Sequence, residues 1–461
     1  MADVVIAGAG LSGLAAALRL TDAGKSVIVL EAREKAGGRM VHQQVAGGGW
    51  VDLGGQWVGR TQHNIRRIAH RLNIKLFKQY TLGTTRLSYG GVLYDAVESA
   101  DGTLGRDGND LKTTELLQST LSDLAAGIPA KPWHAPRAEE LDQGTLGQWI
   151  DQWVRAYHGN ASSEYAGFFV GWDSRFNQSG GSPWEVSLLH SLFETKVNPA
   201  DEDPDESLCV GGAGQIPGLL AGLLETRNCE IFTNSRVVAI SDLEDGVQVT
   251  TRATGPNGTG GRFDGKFAIV AMPPFLTGAI SYDPLLVAPR LQLVQRTPMG
   301  VIAKIACTYD TAWWRESGLS GTALGDSHRT VQAVADSGPL EGGPGILTSF
   351  VQGEKYNEWA LRNGTEQRQM VLDDLAHYFG DEARAVKEYI PKDWPEEQLT
   401  GGAYNAYMPP GGWTQYGHAL RANHGRIHWA GTETATEWYG YFDGAISAGE
   451  READEILKKL G

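Results

Sequence analysis

Residues Val4 to Arg39 read VVIAGAGLSGLAAALRLTDAGKSVIVLEAREKAGGR, and this stretch decides the fold. Val4, Val5 and Ile6 are β-branched, as in a strand buried on both faces. Gly8, Gly10 and Gly13 follow in GxGxxG spacing. The first permits a tight turn, the second lets backbone approach a pyrophosphate, and the third lets a helix pack close to the strand. Leu14, Leu18 and Leu20, with alanines between them, give that helix an apolar side. Its N-terminus offers unpaired N–H groups and a positive dipole end to a phosphate. Gly24 ends the helix, and Val27 to Leu30 form a second strand with Glu31 at its end. Glu31 lies 21 residues beyond Gly10, close to the roughly 20 expected of the acid that binds a ribose hydroxyl pair. This unit alone leaves NAD and FAD both open. Arg33, Gly37, Gly38 and Arg39 add a second glycine turn carrying guanidinium groups, which suit bidentate phosphate contact. A dinucleotide held at both turns is gripped along its length, as a permanent cofactor is.

The chain has 461 residues, too many for one ordinary core, so two domains are expected. Apolar content of 41% and charged content of 21% are those of a soluble globular protein. A net charge of −15 argues against nucleic acid or an anionic membrane as a partner and mildly favours a cationic small molecule. Cys209, Cys229 and Cys307 are far apart and make neither a metal-ligand spacing nor a disulfide framework, so no metal is expected. That usage fits a reducing compartment. The first strand begins almost at once, which leaves no room for a signal peptide, and no run approaches the 18 or so apolar residues of a membrane span. A cytoplasmic protein is expected. P-loop, HExxH and GxSxG motifs and internal repeats are all missing from the sequence.

Ala46 to Arg60, AGGGWVDLGGQWVGR, is a further glycine-rich segment, and Gly54 and Gly55 precede Gln56 and Trp57. Backbone so free of Cβ atoms passes close to something flat or bulky. From residue 81 the texture changes. Thr145 is a good N-cap, and Leu146, Trp149, Ile150, Trp153, Val154 and Tyr157 recur at helical spacing. Ser182-Pro183-Trp184-Glu185 reads as a capping box that starts another helix, continued by Leu188, Leu189, Leu192 and Phe193. Residues 200–206 are an acidic loop. Short β-type runs at 231–232, 237–240 and 247–251 and a buried strand at Phe267 to Met272 return to the nucleotide domain. Val301 to Tyr309 is an apolar strand with Lys304 inside it, and that lysine must reach solvent, an acid or a cavity. Ile346 to Val351 is a strand and Glu366 to Phe379 a helix. Arg426 to Ala430 is the last strand, running through Gly431-Thr432-Glu433 to a final helix that ends near Lys459. The expected fold is therefore α/β. A Rossmann-like domain is assembled from residues 1–80, 208–283 and 396–461, and an α+β substrate domain from 81–207 and 284–395.

These residues resemble the flavin-dependent monoamine oxidases over nearly the whole length. GAGLSG with LEAREKAGGR, DLGGQWVG, VGGAGQ, VAMPP, KDWPEEQLTGGAYNAYMPPGGWTQY from Lys392 to Tyr416, and WAGTETATEWYGYFDGAISAGE all fall in family order, the last two being the most specific. The resemblance implies FAD, a two-domain fold, and oxidation of an amine to an imine with O2 reduced to H2O2. It places Gly8, Gly10 and Gly13 at the pyrophosphate, Glu31 at the adenosine ribose, and Arg33, Gly38 and Arg39 at a second phosphate contact. Gly54, Gly55, Gln56 and Trp57 run along the flavin, Val237 holds the adenine, and Gly431, Thr432, Glu433, Tyr441 and Phe442 form the final cofactor segment. Gln215 becomes a substrate-cavity glutamine, Lys304 the lysine that contacts flavin N5 through water, and Trp394 the tryptophan beside the ring. Tyr404 and Tyr441 become the aromatic pair in front of the flavin.

Two departures from the animal enzymes stand out. Ala403 replaces the cysteine that binds the flavin covalently, and the chain stops at Gly461 without a C-terminal membrane helix. A soluble form with non-covalent FAD is expected, with a homodimer left open. The substrate is expected to be a primary amine with an apolar or aromatic body. An amino acid would want a cation facing its carboxylate, for which Arg175 is the candidate, and a polyamine would want acids deep in the cavity. A flavin desaturase and a flavin-binding protein without turnover are the alternatives outside amine oxidation.

Overall fold

The structure, a computed structural model, describes residues 1–99, 103–158, 179–198 and 205–461. Arg175 and residues 200–204 of the acidic loop lie outside the described residues. Among the described residues the strands form an eight-stranded sheet, a seven-stranded sheet and three small ones.

The larger sheet grows from the first strand, Ala2–Ala7. Val4, Val5 and Ile6 are fully buried, as β-branched residues covered on both faces should be. Val27–Leu30 pairs parallel on one side, with Cys229–Phe232 parallel beyond it, and Gly261–Ala271 pairs parallel on the other. Gly261–Ala271 is 11 residues long and serves two further neighbours. Its first half pairs antiparallel with Gly246–Ala253, its second half parallel with Ile427–Ala430. The strands of this sheet thus come from three separated parts of the chain, within 2–30, 229–283 and 427–430. The fold is α/β with a Rossmann-like unit, as expected. Helix Leu11–Asp22 covers one face and packs on the final helix, Phe442–Leu460.

The second sheet runs Glu388–Asp393, Ile302–Tyr309, Gly345–Gln352, Ala333–Asp336, Leu319–Gly325, Thr84–Tyr89, Val92–Asp95. Its pairings are antiparallel except that of Leu319–Gly325 with Thr84–Tyr89. Helix Gly364–Phe379 starts in a capping box of Asn363 and Glu366 and buries Val371, Leu375 and Tyr378 against it. Helices Gly108–Ala126, Leu146–His158 and Leu188–Val197 share a separate apolar cluster.

One helix start is corrected. Ser182 to Glu185 form a turn, and the helix begins at Leu188 with Ser187 as its N-cap. Ser187 Oγ accepts from the His190 N–H at 3.4 Å while donating to Asp142 Oδ1 at 2.6 Å. Asp142 lies 45 residues away in sequence, so this cap could not be read locally. Thr145, by contrast, caps its helix as expected: its Oγ1 accepts from the Gln148 N–H and the Gln148 side chain accepts from the Thr145 N–H.

The glycine turn shows why its third glycine is needed. A Cβ on Gly13 would stand 2.0 Å from the Gly8 carbonyl oxygen. Gly13→Ala is expected to push helix and strand apart and to destabilise the protein by about 2 kcal/mol or more. Chemical denaturation checks this, and an unchanged midpoint would show that the turn has room to give.

Candidate active site

A cavity of about 500 Å³ opens between the glycine turns and the second sheet. At one end it is lined by Gly8, Gly10, Leu11 and Ser12. Gly10 caps helix Leu11–Asp22 with no side-chain cap and no acid in the first turn, so the helix N-terminus faces the cavity as an anion site. Glu31 is buried beside it, one carboxylate oxygen accepting from the Ala9 N–H at 2.8 Å and the other from the Arg33 N–H at 2.9 Å. Arg236 and Val237 complete this end, where the pairing of Ser235–Leu243 with its neighbour slips register between Val237 and Ala239.

In the middle, Gly38 lines the cavity and the two arginines of the second turn engage protein groups. Arg33 donates to Gly38 O at 2.9 Å and to Thr400 Oγ1 at 2.6 Å, with Glu397 at 3.3 Å. Arg39 clasps Glu433 through both Nη atoms at 2.6 and 3.0 Å and donates to Tyr404 O at 2.8 Å. Glu433 therefore acts as a fully buried clamp. The Gly431 N–H donates to Ser12 Oγ at 2.9 Å and Thr432 Oγ1 to Tyr441 O at 3.0 Å, which joins the last segment to the first.

The far end is aromatic. Trp57, Phe350, Trp394, Tyr404 and Tyr441 line it with Ile302, Gln56 and Lys304. Phe350 meets Tyr404 edge to face at 6.0 Å, and Trp394 is held by its indole N–H on Leu53 O at 3.0 Å. Burial drives the Tyr441 phenol well above the usual tyrosine range, with Asp205, Glu194 and Tyr404 adding to it. Gly55 is free of a Cβ because one would stand 2.6 Å from the Phe442 ring, so the flat neighbour of this glycine is a side chain of the protein itself.

Lys304 reaches the cavity, one of the three outcomes open from sequence. Its ammonium donates to Gly54 O at 2.7 Å and to Gln56 Oε1, and Gln56 donates onward to Ser337 Oγ at 2.9 Å. The Trp57 and Phe350 ring centroids lie 5.3 and 5.6 Å from it. Burial lowers its pKa to about 7, against the opposing pull of Asp52 and Asp205. Burial likewise raises the carboxyl of Asp52, which accepts from the Ala213 and Gly214 N–H groups at 2.8 Å each.

Gly13, Glu433 and Gln215 are the expected site residues outside the described lining of the cavity, and no hydrogen bond ties Gln215 to the others. The Gln215 amide donates to Val210 O at 2.8 Å and Gly212 O at 2.7 Å. Sequence reading missed Ser12, Arg236, Phe350, Thr400 and Asn405, all of which line the cavity. Phe350 carried the one available signal, an aromatic inside an expected strand.

The Lys304 shift has a stability consequence. Below pH about 7 the native chain must keep a desolvated ammonium, so folding is penalised there. As pH rises above that value the native chain sheds the proton while the unfolded chain keeps it up to lysine's ordinary range, and the penalty fades. Lys304→Met removes it. Its melting temperature relative to the unmodified protein should be most favourable near pH 6 and decline towards about pH 9. A difference that stays flat or grows with pH would contradict the burial argument.

Residues 11–457 match the family model described as flavin containing amine oxidoreductase. An L-amino acid dehydrogenase of Synechocystis sp. is 40% identical over 464 residues, covering 99% of this chain and 95% of that protein. The flavin-containing amine oxidase A of Equus caballus is 33% identical over 481 residues, covering 100% and 86%. A putrescine oxidase solved with putrescine bound superposes with a TM-score of 0.89 at 31% identity, covering 99% of both chains. No helix among the described residues is long and apolar enough to cross a membrane. With glycine turns, an open helix N-terminus and an aromatic end on one cavity, and with likeness running through almost every residue, this protein belongs to the flavin-containing amine oxidoreductases and is an FAD-dependent enzyme.

Proposed function

We propose that the enzyme oxidises primary amines that carry an aromatic or other apolar body and no carboxylate. The amine becomes an imine, which water hydrolyses to aldehyde and ammonia, and the two electrons pass to O2 to give H2O2. The far end of the cavity carries this reading. Its described walls are mostly aromatic and aliphatic, and its one cation among the described residues, Lys304, has two of its three donors on Gly54 O and Gln56 Oε1. Asp205, also on the lining, attracts an ammonium and repels a carboxylate.

When bound, FAD accepts the two electrons that leave with the amine's α-hydrogen. In this reading residues 1–80, 208–283 and 396–461 form the FAD-binding domain and 81–207 with 284–395 the substrate domain. The open N-terminus of helix Leu11–Asp22 holds the pyrophosphate, Glu31 the ribose and Val237 the adenine. Arg33 and Arg39 brace the second turn through Thr400, Glu397 and Glu433. Tyr404 and Tyr441 orient the amine and exclude water, and their low-dielectric slot favours the neutral amine, which has the lone pair the reaction needs. Lys304, where protonated, places positive charge where oxygen gains electrons. The cysteines are buried and unpaired, which suits the cytoplasm.

A second reading, oxidation of an L-amino acid with an acceptor other than O2, is favoured by the 40% identity to the L-amino acid dehydrogenase. Phenethylamine, putrescine and L-phenylalanine, each assayed in air for peroxide and without air using an artificial electron-accepting dye, separate the two. Phenethylamine is expected to turn over fastest and to yield peroxide. Faster turnover of L-phenylalanine, with the dye and not with O2, would replace the first reading by the second.

The flavin is proposed to be held without a covalent bond. Ala403 lines the cavity and offers only a methyl group, and Cys209, Cys229 and Cys307 are buried off its described lining. Acid precipitation of the yellow protein should leave intact FAD in the supernatant. Colour that stays with the pellet, with a mass shift equal to the flavin, would show a linkage at another residue.

A further inference from the structure

Behind Tyr404 and Tyr441 runs a chain of buried polar side chains that the reaction itself leaves unused. Asn405 follows Tyr404, lines the cavity, and is 1% exposed. Its Nδ2 donates to Glu194 Oε1 at 3.0 Å and to Ala406 O at 3.2 Å. Its Oδ1 lies over Gly440, where an added Cβ would stand only 2.7 Å from it. Gly440 precedes Tyr441, so the Asn405 amide spans the two segments that carry the tyrosines.

Glu194 comes from helix Leu188–Val197 and is 1% exposed. Neither lysine nor arginine pairs with it among the described residues, and its Oε2 has no hydrogen-bond partner among them. Its neighbour His190 accepts from the Trp413 indole N–H at Nδ1, 3.1 Å away, which leaves the imidazole proton on Nε2, 3.5 Å from Glu194 Oε1. The same helix grips the tyrosine segment twice more. Asn198 Nδ2 donates to Tyr439 O at 2.9 Å and the Trp438 N–H to Val197 O at 2.8 Å. The Tyr439 hydroxyl in turn donates to Ala406 O at 2.7 Å. A buried carboxylate so poorly compensated is costly, and an apolar side chain would fill the space at less cost. The Asn405 amide is what this carboxylate serves.

We propose that Glu194 is a positioning residue of the amine slot: through Asn405 it sets the spacing between Tyr404 and Tyr441, and so which amines fit between them. This rests on the reading of the two tyrosines as the slot. The effect of the Glu194 charge on the Tyr441 hydroxyl agrees with that closeness.

Glu194→Leu should raise KM for phenethylamine about tenfold while kcat stays within about threefold, because the slot loosens but the chemistry does not move. FAD content and the melting temperature of the apoprotein should stay near those of the unmodified enzyme. Glu194→Gln keeps an acceptor for Asn405 and should keep KM near the unmodified value. A merely structural role would lower the melting temperature without this split and without rescue by glutamine. If Glu194→Leu fails to accumulate, Asn405→Ser is measured in its place, with the same expected rise in KM. Tyr404→Ala combined with Tyr441→Ala is the control. If that pair leaves kcat/KM unchanged, the slot reading itself is wrong. If it lowers kcat/KM while KM in Glu194→Leu, or in its replacement, is unmoved, the slot stands and the strut is refuted.

Discussion

Everything at the site depends on the clasp between Arg39 and Glu433. Nearly 400 residues separate the two, and their side chains meet in a bidentate pair at 2.6 and 3.0 Å. Glu433 also accepts from the Ala406 N–H at 3.3 Å, and Arg39 holds Tyr404 O. One charge pair therefore fixes the second glycine turn, the Tyr404 loop and the final cofactor segment in one arrangement. A hydrophobic pair could fill that volume but could not hold three backbones in register. Removing Arg39 would leave the buried Glu433 carboxylate without its cation, which is far worse than never having had the pair.

Around that clasp the cavity changes character along its length. The dinucleotide end is built from backbone: an uncapped helix N-terminus, the Gly431 N–H on Ser12, and a carboxylate tied to two amides. Such groups are fixed by the fold and suit a ligand present in every turnover. The far end is built from side chains, mostly rings, with Trp57, Ile302, Lys304 and Phe350 on strands and Trp394, Tyr404 and Tyr441 on loops. In the proposed reading, binding of cofactor and choice of amine are thus separable, and one frame can serve different substrates.

The cofactor half was legible because its chemistry is local. Gly8, Gly10, Gly13 and Glu31 need only their spacing to announce a strand, a turn and a ribose acid, and the structure puts all but Gly13 on the cavity and Gly13 under the turn. What escaped depends on partners distant in sequence. Ser187 caps a helix because Asp142 orients it, Gly55 is small because Phe442 lies against it, and Arg33 answers to Thr400. Gln215 matched its motif, yet the glycines around it turn its amide back onto Val210 and Gly212. Asn405 and Glu194 carried no pattern at all, since an isolated polar residue in a loop and another in a helix become a pair only after folding.

The far end also bears on why a carboxylate would be a poor guest there. Lys304 has a pKa near 7 because burial outweighs the pull of Asp52 and Asp205. Of the three donors of the full ammonium, Gly54 O and Gln56 Oε1 take two, so one at most is left for a substrate carboxylate. Asp205 would oppose the same charge. An amine without a carboxylate asks for none of this: its body replaces water against Trp57, Phe350 and the tyrosines, and its nitrogen can arrive neutral. In the proposed reading the lysine's engaged donors, Asp205 and the aromatic wall act in the same direction, each favouring a neutral nitrogen on an apolar body over a zwitterion.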